Sequence, residues 1–217
     1  MSVPTHCYNP DLLKGKRALV TGGGTGIGRA IAFELARAGA TVTIAARQVE
    51  PLQATAEAIA SEPQRPVKTR LVDIRDLDSV AQLAAALETE DGQTDILINN
   101  AGGQFPQAAE NYSPKGWRTI IDLNLNGTWN MTQALGQQML KGRGGVILNI
   151  IMTIGRGNPG IAHSGAARAG VAEMTRSLSY EWGPKVRVNC LGPGAIITPG
   201  MQATYDDDVL DDIGDKP

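Results

Sequence analysis

No run of about 18 or more consecutive apolar residues occurs in this chain, and no signal-peptide pattern is visible. That excludes a hydropathy-defined helical span and leads to the expectation of a cytoplasmic protein. Charge of either sign is not in excess: 20 Lys and Arg stand against 22 Asp and Glu, a net charge of −2. A balance so close to neutral offers no electrostatic footprint for nucleic acid or for an anionic membrane surface. Cysteine is nearly absent. Cys7 and Cys190 lie far apart and form no C-x-x-C, so two reduced thiols are expected, with Cys190 buried in a strand. No cluster of His, Cys, Asp and Glu has metal-ligand spacing.

What is present is a run of glycines in a telling place. Thr21-Gly22-Gly23-Gly24-Thr25-Gly26-Ile27-Gly28 follows the apolar run Ala18-Leu19-Val20 and leads into Arg29–Ala36, which has helical spacing. Strand, glycine turn and helix N-terminus in that order make an anion site from backbone N–H groups and the helix dipole. Gly22 suits the tight turn, Gly26 lets backbone approach a pyrophosphate, and Gly28 lets the helix pack close to the sheet. The spacing is G-x-x-x-G-x-G rather than the commoner G-x-G-x-x-G. A plain flexible turn would use the same residues.

At 217 residues the chain is long enough for one domain with a single large core. Strands are expected at Arg17–Val20, Thr41–Ala45, Val67–Val72, Asp95–Asn99, Val146–Ile151 and Val186–Cys190. Between them fall helical patterns at Arg29–Ala38, Pro51–Ser61, Leu77–Glu90, Pro114–Leu140 and Ile161–Trp182. The alternation specifies an α/β fold, a three-layer doubly wound parallel sheet of the Rossmann type with six strands. Residues 1–15 read as an irregular lead-in, 16–200 as the nucleotide-binding domain and 201–217 as an acidic tail. A ligand crevice belongs at the carboxyl ends of the strands.

Strand two ends in Ala46-Arg47, where an acidic residue would hold an adenosine ribose. With no carboxylate there, the Arg47 guanidinium suits a 2′-phosphate, which favours NADP(H); a solvent-facing loop arginine is the alternative. Asp73, next to Ile74, has two readings: acceptor for an adenine amino group, or helix cap. Asn99, Asn100, Ala101 and Gly102 turn the chain after strand four.

Taken together, these stretches resemble the short-chain dehydrogenase/reductase family over roughly residues 15 to 200. T-G-x-x-x-G-x-G at Thr21–Gly28, N-N-A-G at Asn99–Gly102 and P-G-x-I-x-T at Pro193–Thr198 match in order. The resemblance implies coenzyme contacts from Thr21, Gly22, Gly24, Thr25, Gly26, Ile27, Gly28, Arg47, Asp73, Ile74, Asn100, Ala101 and Gly102. It extends them to Arg168, Pro193, Gly194, Ile196 and Thr198, and sets Asn99 near the adenosine ribose. Asn124 matches the family's helix asparagine.

The family's Tyr-x-x-x-Lys pair is missing. The register puts Ser164 at the tyrosine place, Arg168 at the lysine place and about Ile151 at the usual serine. Arg168 holds a charge but passes no protons, and a serine hydroxyl is too weak an acid to stand in for an activated phenol. Tyr180 would face the other side of its helix; Tyr112 and Tyr205 would need their loops to fold over the site. This pattern is similar to the branch containing trans-2-enoyl-CoA and 2,4-dienoyl-CoA reductases, through Gly102–Phe105, Lys115–Trp117, Asn149–Ile151 and His163–Val171. Reducing a C=C conjugated to a thioester needs hydrogen-bond donors at the thioester oxygen more than a strong acid. The expected catalytic set is therefore Asn124, Ser164 and Arg168, with NADP(H) as coenzyme and an acyl thioester as substrate.

Alternatives stand beside this. Ser164 and Arg168 also fit a surface pair. His163 fits an acid or a packed neighbour, Thr153 a pocket wall or a loop hydroxyl, and Gly102–Phe105 a substrate lip or a turn. An alcohol or carbonyl dehydrogenase using His163 or Tyr205, or a non-catalytic nucleotide-binding protein, are the rival functions. The resemblance also implies a homo-oligomer, a dimer or tetramer. The family's seventh strand is not found before Pro217, which leaves strand six as an edge and suggests a truncated form.

Overall fold

The computed structural model describes residues 9–61, 67–153, 155, 157 and 159–208. Six parallel strands form one sheet: β1 Arg17–Thr21, β2 Thr41–Ala46, β3 Lys68–Leu71, β4 Ile96–Asn99, β5 Gly145–Ile150 and β6 Val186–Leu191. Their order is β3-β2-β1-β4-β5-β6. The chain builds outward in one direction from β1 through β3, then returns to β4 on the other side. The switch point lies between β1 and β4, where such sheets open a crevice.

Strand alternation sends successive side chains to opposite faces, and the two cores divide accordingly. Ala18, Val20, Val42, Ile44, Ile98 and Ile150 pack under α1 (Gly26–Arg37) and α2 (Val49–Ala60), meeting Ala32, Ala36, Leu52 and Ile59. Leu19, Leu97, Ile147, Val186 and Val188 face the other way. They meet α3 (Leu77–Ala86), α5 (Gly127–Lys141) and α6 (Ala162–Trp182) through Leu83, Met131, Leu135, Met139 and Leu178. This is the three-layer α/β arrangement read from the sequence.

Three elements differ from expectation, the first being the helix expected at Leu77–Glu90, which stops at Ala86 and passes into a π turn over Leu87–Asp91. The long helix is two: α4 (Pro114–Ile121) and α5, joined by a π turn over Asp122–Asn126. Single π turns widen a helix and redirect its side chains. Here the turn carries Asn124, which is completely buried. A short helix, α7 (Pro199–Gln202), follows the segment after β6, with the Thr198 hydroxyl capping it by accepting from Met201 N at 3.2 Å.

Cys190 is exposed, not buried. β6 is an edge of the sheet among the described residues, and of its six residues Val186 and Val188 are the buried ones. Cys7 and the tail beyond residue 208 lie outside the described residues.

Candidate coenzyme and substrate site

The glycine turn is locked by contacts that leave no room for side chains. Gly22 (φ +65°) and Gly26 (φ +53°) occupy the left-handed region that favours glycine. A Cβ on Gly28 would lie 2.3 Å from the Gly22 carbonyl oxygen and 2.4 Å from Asn100 Nδ2. The turn is therefore shaped by close approach of backbone to backbone. No side chain caps the start of α1 and no acidic residue stands in its first turn. Its first N–H groups are thus without an internal acceptor from the cap residue.

The loop after β4 is tied to this turn. The Thr21 hydroxyl accepts from the N–H groups of Asn100 (3.0 Å) and Ala101 (3.1 Å). Asn100 Nδ2 donates to the carbonyl oxygens of Thr21 (3.0 Å) and Gly22 (3.2 Å). Asn99, expected near a ribose, points instead into the core. Its amide donates to Thr132 Oγ1 (2.9 Å) and Asn149 Oδ1 (2.8 Å), and Asn149 donates in turn to Thr175 Oγ1 (2.9 Å). Residues at a strand end alternate faces, so Asn100 meets the crevice loop and Asn99 the interior.

One cleft of about 200 Å³ runs along the carboxyl ends of β1 to β4. Gly22, Gly24, Thr25, Arg47, Asp73, Ile74, Ala101 and Gly102 line it, all of them sequence candidates. Gln48, Pro51, Val72 and Leu123 join them without having been singled out, because an ordinary side chain in a loop carries no motif. Thr21, Gly26, Ile27 and Gly28 shape the turn from behind. Pro193, Gly194 and Ile196 lie outside this cleft, on the exposed segment after β6, and the Pro193 carbonyl accepts from Thr153 Oγ1 at 3.1 Å. The Thr198 side chain would stand 3.3 Å from a Cβ on Gly26.

Asp73 is neither a cap nor free. The α3 cap is Asp76, which accepts from Asp78 N and Ser79 N. Asp73 accepts from Arg75 through Nε (2.9 Å) and Nη2 (2.5 Å). Arg75 holds its carboxyl down at about 2, with Arg47 adding to the field. The charge at the floor of the cleft is thus already compensated, and exposed Arg47 faces no acidic residue at the end of its own strand.

The second half of the crevice is built on β5 and α6. Arg168 is nine-tenths buried and donates from Nη1 to the Ile150 carbonyl at 2.9 Å. Among the described residues no carboxylate pairs with it, and burial pushes its pKa down to about 10. Its Nη2 lies where a Cβ on Gly102 would be, 2.0 Å away. Ser164, one helical turn earlier, is 2% exposed, its hydroxyl 3.9 Å from Met152 Sδ. These two are a buried pair, not a surface one. Asn124 binds Gly103 in both directions: Oδ1 accepts from its N–H (3.0 Å) and Nδ2 donates to its carbonyl (2.8 Å). That correction makes Asn124 a residue that fixes the loop after β4 rather than one free to meet a substrate.

The tyrosines sort clearly. Tyr180 is 88% exposed and faces away. The Tyr112 hydroxyl donates to the Gly160 carbonyl at 2.8 Å. Tyr205 is folded back, its hydroxyl accepting from Gln104 Nε2 at 2.9 Å. His163 is fully buried against Phe105 and Tyr112, which is the packed alternative rather than an exposed acid.

The short chain dehydrogenase family model matches residues 16–209. The chain belongs to the short-chain dehydrogenase/reductase family. It is 40% identical over 218 residues to a probable 2,4-dienoyl-CoA reductase of Caenorhabditis elegans, covering 97% of this chain and 71% of the relative. A peroxisomal 2,4-dienoyl-CoA reductase of Danio rerio is 40% identical over 200 residues, covering 90% and 66%. The chain thus spans about two thirds of the length of such relatives, and the peroxisomal address of the fish protein leaves the cytoplasmic expectation unsupported. Among solved structures, a citronellol catabolism dehydrogenase of Pseudomonas aeruginosa PAO1 superimposes with a TM-score of 0.83 at 38% identity, covering 92% of this chain and 80% of that one. A Beutenbergia cavernae protein assigned as an NAD(P)-dependent gluconate 5-dehydrogenase, solved with NADP bound, gives 0.87 at 34%, covering 94% and 82%. Among the described residues no helix is long and apolar enough to cross a membrane, and no group of three or more His, Cys, Asp and Glu could hold a metal.

Proposed function

We propose that this protein is an NADPH-dependent reductase of a C=C bond conjugated to an acyl thioester. The observation that carries the reading is the buried Arg168 guanidinium. It stands at the end of β5 with one hydrogen bond among the described residues, beside Gly102 and one turn from Ser164. A buried cation without a carboxylate partner is costly unless a ligand supplies acceptors.

The chain's residues fit the coenzyme. The glycine turn is a cradle that a Cβ would fill, the N–H groups opening α1 suit a pyrophosphate, and Arg47 suits a 2′-phosphate. Arg168, Ala101 and Gly102 would hold the nicotinamide end. Bound there, NADPH would supply a hydride.

What the protein itself must provide is stabilisation of charge that collects on the thioester oxygen. A fixed guanidinium and a buried serine hydroxyl are suited to that task. Neither is suited to protonating a ketone oxygen, because arginine keeps its protons and serine is too weak an acid. Water completes the proton balance at C2. The names of the dienoyl-CoA reductase relatives agree with this substrate class.

A second reading has one observation in its favour. The Tyr205 hydroxyl accepts from Gln104 Nε2, which brings a phenol to the loop two residues beyond Gly102. If that phenol serves as an acid, the protein is an alcohol or carbonyl dehydrogenase on an apolar substrate. NADPH oxidation, followed at the nicotinamide absorbance with trans-2-enoyl-CoAs and with ketones, separates the readings. Turnover of enoyl-CoAs supports the first; turnover of ketones alone supports the second. Coenzyme binding without turnover of either points to a nucleotide-binding protein without catalysis.

A further inference from the structure

His163 has a more definite arrangement than a packing residue requires. It is the second residue of α6, and its Nδ1 accepts the N–H of Ser164 at 2.8 Å. That N–H is one of the donors a helix start leaves unpaired, and no side chain of the cap residue Ile161 serves it. With Nδ1 as acceptor, the neutral ring carries its proton on Nε2. Nε2 is buried and has no hydrogen-bond partner among the described residues. The ring stands edge-to-face with Phe105, centroids 4.6 Å apart at 87°, and tilted at 31° to Tyr112 at the same distance. Phe105 belongs to the loop that carries Gly103 and Gln104. One imidazole therefore touches both the backbone of Ser164 and the aromatic side of that loop.

We propose that His163 is a positioning residue that works only as neutral imidazole. Its Nδ1 sets Ser164, and its ring sets the Phe105–Tyr112 wall against which the substrate's acyl portion lies. The two jobs reside in different atoms, so they separate by substitution. Protonation would turn Nδ1 into a donor facing the Ser164 N–H, and that contact would be lost. Burial among the rings lowers the ring's pKa from 6.5, partly offset by the Ile161 carbonyl, which favours the protonated form. Tyr112 is the titratable side chain recorded against the ring, and its hydroxyl is committed to Gly160. Among the described residues no carboxylate or cation is hydrogen-bonded to it.

The assay rests on the reductase reading, so the full chain is first tested with NADPH and trans-2-decenoyl-CoA. Absence of wild-type turnover overturns that reading and this inference together. With turnover present, His163→Asn keeps an acceptor near the Nδ1 position but loses the ring. It should retain most of kcat, raise KM for the enoyl-CoA by about tenfold, and abolish any acid limb below pH 6.5. His163→Phe keeps a ring but no acceptor, and should hold KM while kcat falls by about tenfold. Equal losses in both variants, or an acid limb that persists in His163→Asn, overturn the inference while leaving the reductase reading intact. Where a variant fails to fold, nitrogen-15 NMR of the wild type decides. The Ser164 amide should shift with the His163 titration, and a stationary amide contradicts the assignment.

Discussion

The two ends of the crevice handle their polar groups differently. Along the ends of β1 to β4, Asp73 is matched by Arg75, Asn100 by the glycine-turn carbonyls, and the turn is closed by backbone contacts. At the β5 end, the Arg168 guanidinium has no ionic partner among the described residues, and the Ser164 hydroxyl has only a thioether nearby. The first end binds by shape that exists before any ligand arrives. The second holds a buried cation with no ionic partner among the described residues and a hydroxyl whose recipient is a weak one, an arrangement suited to stabilising charge that a ligand brings.

Four substitutions probe this contrast, in descending order of expected effect. Gly28→Ala puts a Cβ into the Gly22 carbonyl, where backbone has to move. NADPH affinity should fall by about 100-fold or more and stability by about 1–3 kcal/mol, read by fluorescence titration and thermal melting. Arg168→Met removes the fixed charge but keeps much of the volume. Enoyl-CoA turnover should drop by about 100-fold with the fold retained, and a variant within threefold of wild type would break the contrast. Arg47→Ala should cost about 1.5–3 kcal/mol of NADPH binding while sparing NADH, measured by calorimetry.

Asp73→Asn should have the smallest effect. The Asp73 carboxyl titrates near 2 in the fold against an ordinary 3.8, so its stabilisation is complete above the ordinary value and disappears as pH falls through about 2. The pair is about one third exposed, which limits its contribution to about 1 kcal/mol or less. Urea unfolding near neutral pH and near pH 3 should show the wild-type difference flattened in the variant.

Legibility in the sequence followed the same division. The first βαβ unit was readable because glycine positions, strand periodicity and helix start all express one local geometry. Arg47 at a strand end and Asp73 after another are placed in the crevice by topology alone. The motif does not distinguish Asn99 from Asn100, because two adjacent asparagines look alike in it while strand alternation sends them to opposite sides. Asn124 was visible as a buried polar residue, but the π turn that directs it onto Gly103 has no sequence signature. Met152 above Ser164, and Tyr205 on Gln104, depend on contacts across 12 and 101 residues, which no local pattern encodes.

In the proposed reductase, fixed charge and not a titrating phenol supports the chemistry at the β5 end. The dependence of kcat on pH for enoyl-CoA reduction tests it most directly. Arg168 keeps its charge until about 10, so a level plateau on the alkaline side up to about pH 9 is predicted. A descending alkaline limb with its midpoint below about pH 9 would contradict the claim, because neither Arg168 nor Ser164 titrates there.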